Sequence, residues 1–170
     1  MRKMTWIAAV MCVGLASGGL AIAAEEPTVE EQMAGLVKMC ADSEAARVVR
    51  QAEKPLYFRL GETDKIHELT TEIVRLHSIN PDFARFWGHI DEEALIKNVT
   101  DFVSTGTGGP KVYTGRDMTT AHASLKLSTA DFLSAGGDVM NAMGNLGYGE
   151  EETQEFVCIL VSMKDLVVMY

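Results

Sequence analysis

Four glycines and a proline crowd one short stretch of the chain, at Gly106, Gly108, Gly109, Pro110 and Gly115. Such a stretch cannot hold a long helix. Glycine loses most backbone entropy there, and proline lacks the amide donor and clashes with the preceding turn. It runs directly into Asp117-Met118-Thr119-Thr120-Ala121-His122, a short helical turn that presents one imidazole between Met118 and Leu125. Apolar residues at i−4 and i+3 turn such a histidine inward. By itself His122 reads as a hydrogen-bonded core histidine or as a ligand.

Elsewhere apolar residues recur at helical spacing. Val29, Met33, Leu36, Val37, Cys40, Val48 and Val49 predict one helix over 28–53, closed off by Pro55. Leu56 to Gly61 reads as a short helix ended by glycine. Thr63 is the expected cap of a helix carrying Ile66, Leu69, Ile73, Val74 and His77, which stops before Pro81. Phe83, Phe86 and Trp87 form an aromatic cluster, either core or the wall of a flat cofactor slot. Asp91 caps a helix whose apolar face is Leu95, Val99, Phe102 and Val103, with Asn98 on the same side. Ser128 opens another, bearing Phe132, Leu133, Val139, Met140 and Met143, in which Gly136-Gly137 would let a second backbone approach. After a Gly147–Gly149 turn, Phe156, Ile159, Leu160, Met163 and Val167 form the stripe of a last helix. No run alternates with period two, so the fold class is all-α. With 47% hydrophobic residues, the 170-residue chain can fill a core of its own.

Residues 1–23 stand apart as a signal peptide. Arg2 and Lys3 precede the apolar run Trp6–Leu20, and Ala21-Ile22-Ala23 fits signal peptidase. An uncleaved anchor is the alternative that this small-residue site disfavours. The expected product is exported, with the bacterial periplasm as its destination. Residues 24–54 read as a helical extension and residues 55–170 as the domain proper. The formal charge of −9 becomes −11 once Arg2 and Lys3 are gone. A balance this acidic, without a basic patch, excludes nucleic acid as a partner class. Cys40 and Cys158 remain after export. An oxidising compartment permits a disulfide, and two buried free thiols are the alternative. The absence of Cys-x-x-Cys-His excludes covalent c-type haem attachment, and no histidine pair has zinc spacing.

The strings Leu56-Tyr57-x-x-Leu60-Gly61, Phe86-Trp87, Gly108-Gly109-Pro110-x-x-Tyr113-Thr114-Gly115-Arg116-x-Met118 and Ala121-His122 resemble the truncated haemoglobins, group I most closely. The resemblance spans about residues 55–170. It implies a two-over-two helical sandwich, here with an extra N-terminal helix, in which a loop at 106–119 replaces most of one helix. It implies haem b, held non-covalently, with His122 as proximal ligand of the iron. Such a disc needs one neutral imidazole and a dry slot. Phe86, Trp87, Phe102, Val103, Met118 and Phe132 could line that slot, and Arg116 and Lys97 could meet the propionates or remain solvated charges.

The departures from the family bear on function. Gly61-Glu62 stands at the first glycine pair. The tyrosine and glutamine that commonly hydrogen-bond the bound ligand are matched here by Val74 and Val99, beside Leu95 at the gate position. Asn98 is either a donor that swings in or a solvent-edge residue. His77, one turn beyond Val74, is either a core histidine or a distal ligand. A ligand pocket of Val74, Leu95 and Val99 offers dioxygen no hydrogen bond, which favours faster release and faster oxidation. Three functions are open on these residues: reversible binding of O2, CO or NO; a redox role with a redox partner, in electron transfer or nitric oxide detoxification; or a haem-poor scaffold for a partner. Loss of the polar distal residues argues against efficient dioxygenation, so an enzyme is the less favoured reading.

Overall fold

The computed structural model describes residues 26–169. The expected signal peptide and its cleavage site lie outside the described residues. Among the described residues no helix is long and apolar enough to cross a membrane. The regular structure is helical, with one isolated parallel bridge between Leu127 and Val168.

The N-terminal extension forms two helices rather than one: α1 (Val29–Asp42) and α2 (Glu44–Glu53). The break falls at Ser43, whose hydroxyl donates to the Met39 carbonyl at 2.8 Å. The Arg47 guanidinium takes the Cys40 carbonyl at 2.7 Å, an acceptor that an unbroken helix would give to a backbone amide. Apolar spacing is unchanged across such a break, so periodicity alone does not register it. α1 opens on a Thr28–Glu31 capping box.

Next come α3 (Leu56–Arg59) and α4 (Glu62–Ile79). Thr63 is not the cap of α4. Gly61, at φ 88°, turns the chain straight into the helix, and the Thr63 hydroxyl meets that of Tyr57 at 3.0 Å instead. A 3₁₀ turn (Pro81–Phe83) and α5 (Ala84–Trp87) follow, then α6 (Glu92–Gly106), capped by Asp91 as expected. α7 (Met118–His122) is the short turn after the glycine-rich loop. Ser128 caps α8 (Thr129–Asn145), reciprocated by Asp131. The expected last helix is α9 (Glu150–Ser162) plus a separate turn, α10 (Lys164–Val167).

α4 packs on α6, α8 packs on α9, and α4 crosses α8, giving two stacked helix pairs. Leu56, Leu60, Ile66, Leu69 and Met143 are closed to solvent at their junction. Each such side chain contributes about 1.5–3 kcal/mol. α1 lies across α8 and α9 and is bound covalently to the latter. Cys40 and Cys158 form a disulfide, with Cα atoms 5.4 Å apart and a sequence separation of 118.

Gly136 and Gly137 do not serve a close approach of backbones. A Cβ added at either would meet no atom within 4 Å. The space beside them belongs to a cavity.

Candidate functional site: an apolar cavity facing His122

The cavity measures about 810 Å³ and opens between the two helix pairs. The glycine-rich loop sets one side of it. Gly109 donates to the Ser104 carbonyl at 2.8 Å, close enough that a side chain there would strike that oxygen and the Tyr57 ring. The Thr105 hydroxyl holds the Lys111 carbonyl at 2.9 Å, and Tyr113 meets the Phe102 ring edge-on at 5.2 Å. The Asp117 carboxylate then caps α7 through the Thr120 amide at 2.9 Å. These contacts aim His122 into the cavity, where it is partly buried. Its Nδ1 lies 2.8 Å from the Met118 carbonyl. That acceptor fixes Nδ1 as the protonated nitrogen and leaves the Nε2 lone pair for a metal.

Most of the residues expected at the site do line the cavity: His122, Met118, Phe86, Trp87, Phe102, Val103 and Phe132 around the slot, with Val74, Leu95, Val99 and His77. Two do not. Asn98 is exposed on α6, outside the cavity lining, in the solvent-edge position that was one of its two expected places. Arg116 is exposed in the loop, outside the lining. Lys97 also points outward and pairs with Asp101 at 2.9 Å.

The cation that touches the lining is Arg85, which sequence reasoning passed over. Its guanidinium lies 4.4 Å from the Phe86 ring centroid and 2.5 Å from the Asp131 carboxylate. Burial pushes the Asp131 carboxyl up, but hydrogen bonds from Ser128 and Arg85 outweigh it and hold the group below the usual carboxylate range. The signal that could have found Arg85 was its place beside Phe86 in the aromatic cluster. His77 has a partner too: its Nδ1 lies 2.8 Å from Asp138, which also accepts from Asn80 at 2.8 Å. The His77 ring stacks on Phe83 at 4.9 Å.

A sequence model of the bacterial-like globins matches residues 55–168. The chain belongs to this family. No curated protein matches it in sequence. Among solved structures, the globin is similar to the Fe(III) form of truncated haemoglobin from Tetrahymena pyriformis. Identity is 19% and the TM-score 0.62, over 68% of this chain and all of that one. It is also similar to a two-over-two haemoglobin from Synechococcus, solved in the cyanomet state with covalently attached haem. There identity is 20% and the TM-score 0.61, over 66% of this chain and 94% of that one. These likenesses establish the truncated two-over-two fold that the sequence motifs implied.

The globin's residues fit a flat apolar prosthetic group. The cavity is broad and lined mostly by aliphatic and aromatic side chains, Gly136 and Gly137 leave clear space beside it, and the His122 imidazole enters with its Nδ1 on the Met118 carbonyl. Haem is a group this donor set suits: His122 would offer it an imidazole nitrogen, and Arg85 would be at hand for a carboxylate.

Proposed function

We propose that this globin holds haem b non-covalently through His122 and binds a small diatomic ligand reversibly in an apolar distal pocket. The observation that supports it most is the fixed His122 imidazole opening onto an apolar cavity inside a globin fold. When bound, haem supplies an iron with a coordination position for O2, CO or NO.

The chain's own side chains set the rest. The Met118 carbonyl accepts the Nδ1 proton's hydrogen bond, turns Nε2 toward the cavity and fixes the ring's orientation. Val74, Leu95 and Val99 carry no donor, so they exclude water and discriminate by shape alone. Dioxygen, which takes on negative charge when bound, loses a hydrogen bond worth about 1–3 kcal/mol in such a pocket. Carbon monoxide and nitric oxide depend less on one. The signal-like segment at residues 1–23 supports an exported protein.

A second reading follows from His77. It lines the same cavity, and with Asp138 holding Nδ1 its Nε2 is the free nitrogen. A second imidazole on the iron would suit electron transfer with a redox partner.

Absorption spectra of the purified protein, oxidised and dithionite-reduced, test both readings beside His122→Ala and His77→Ala. The expected result is a five-coordinate ferrous spectrum that His122→Ala abolishes and His77→Ala leaves intact. A six-coordinate low-spin spectrum lost in His77→Ala would establish the second reading. A chain that takes up no haem on reconstitution would overturn both.

A further inference from the structure

The ligand cavity is not closed by the globin domain alone. Gln32, Gly35 and Leu36, all on α1, line it together with His122. Gly136 and Gly137 of α8 line the same cavity, and a Cβ at either would meet nothing within 4 Å. α8 thus has a gap in its side-chain surface on the cavity, and α1 packs on α8 and α9 beside the same cavity.

α1 is attached there by apolar packing on α8 and α9 and by the disulfide. Met33 and Cys40 are its only buried residues. Among the described residues its side-chain hydrogen bonds stay within the extension, such as Gln32 to the Pro27 carbonyl at 2.8 Å and Lys38 to Asp42 at 2.5 Å. α2 is anchored differently. Arg50 pairs with Glu155 at 3.4 Å and Glu151 at 3.6 Å, and Gln51 accepts the Leu56 amide at 2.8 Å. The break at Ser43 separates the two helices, and the Cys40–Cys158 bridge sits on the α1 side of it.

We propose that α1 is a disulfide-latched door on the ligand cavity, hinged at Ser43, which opens when the Cys40–Cys158 bridge is reduced. A dithiol reductant, either a small molecule or a thiol–disulfide oxidoreductase, supplies the electrons. Its thiolate attacks one cysteine sulfur, and the other cysteine leaves as a thiolate and takes up a proton. The reductant's second thiol then displaces the first cysteine, which is protonated in turn. Two electrons and two protons reach the pair, and the reductant ends as its own disulfide. With the latch open, α2 stays on its ion pairs while α1 swings away and uncovers the gap at Gly136-Gly137. Small apolar ligands then have a second route to the cavity.

The door does not depend on haem, so it is tested first on the haem-free chain. Hydrogen exchange is followed in the oxidised protein, the dithiothreitol-reduced protein and Cys40→Ser/Cys158→Ser, together with binding of an anilinonaphthalene sulfonate dye. Exchange over residues 29–42 should quicken by about tenfold or more on reduction, while α8 and α9 keep their protection and dye binding rises. The double variant should match the reduced protein without reductant. Unchanged protection of α1, or equal loss in α1, α8 and α9, would overturn the proposal, the second because the bridge would then hold the whole fold. Gly137→Val supplies the control by filling the gap. Reduction should still free α1 there, but dye binding should stay low. Equal dye uptake in that variant would refute the gap as the route. In the haem-loaded protein, carbon monoxide uptake after photolysis should quicken on reduction, and an unchanged rate would refute the second route. Failure to take up haem would sink the haem reading and leave the exchange result standing.

Discussion

Val74 is the position where a single substitution most directly tests the ligand chemistry. It is buried in α4, 3% exposed, and faces the cavity with Leu95 and Val99. None of the three can donate a hydrogen bond. Val74→Tyr would place a phenol among them, and a hydrogen bond to bound dioxygen is worth about 1–3 kcal/mol. That corresponds to oxygen release slowed by about fivefold to about 150-fold, at about 1.4 kcal/mol per factor of ten. The bulk of the ring has its own cost, about 1–3 kcal/mol where a site is tightly packed, and less here because the side chain opens onto free volume. Val74→Phe carries the same ring without the hydroxyl, so comparing the two variants isolates the hydrogen bond. Oxygen release by stopped-flow displacement and autoxidation followed by absorbance supply the two rates. Val74→Tyr should slow both relative to Val74→Phe and to the parent. Equal rates in the two variants would mean that residue 74 does not face the bound ligand, and the apolar-pocket reasoning would fall.

Gly109→Ala should destabilise the protein by about 1–3 kcal/mol, because its Cβ would sit 2.5 Å from the Ser104 carbonyl and 2.6 Å from the Tyr57 ring. Thermal unfolding reads this as a lowered Tm, and an unchanged Tm would mean the loop is not held as described. Glu72 offers a pH test. Hydrogen bonds from Arg75 and Asn145 hold its carboxyl down at about 2. A depressed folded-state pKa contributes stability that is complete above the unfolded value near 4.3 and is lost as pH falls from there toward 2. Glu72→Gln should therefore be the less stable protein in urea at pH 7, and the difference should shrink below pH 4. A constant difference would refute the assignment.

The helices were legible because their signals are local. Asp91 and Ser128 are caps by side-chain chemistry, and Gly61 and the 106–115 stretch interrupt helices by backbone chemistry alone. The apolar lining was legible because core and pocket residues share one periodicity, with the motif string telling them apart. What a helical period does not fix is the edge of a face. Asn98 neighbours Val99 in sequence yet is turned to solvent, and no spacing rule separates the two. The expected backbone contact at Gly136-Gly137 failed for a related reason: a missing side chain marks a space without saying whether protein or ligand fills it. Arg116 was the cation that the motif string offered, whereas Arg85 adjoins Phe86 in sequence and only the fold brings it to Asp131. The hinge at Ser43 depends on which carbonyls the side chains of Ser43 and Arg47 choose, a matter of rotamers.

The Leu127–Val168 bridge sets an order of events on the ribosome. α7 has five residues, too few to hold a helical shape alone, and α10 braces it. The Met169 amide donates to the Leu127 carbonyl at 2.9 Å, and Val167 joins Leu127 in the cavity wall. His122 therefore leaves the exit tunnel well before the residues that steady it. Cys40 waits longer still, across 118 residues, for the sulfur it will join. Until the final two helices emerge, the nascent chain carries an unsupported imidazole and an unmatched thiol. Its pocket is the last part of the molecule to be finished.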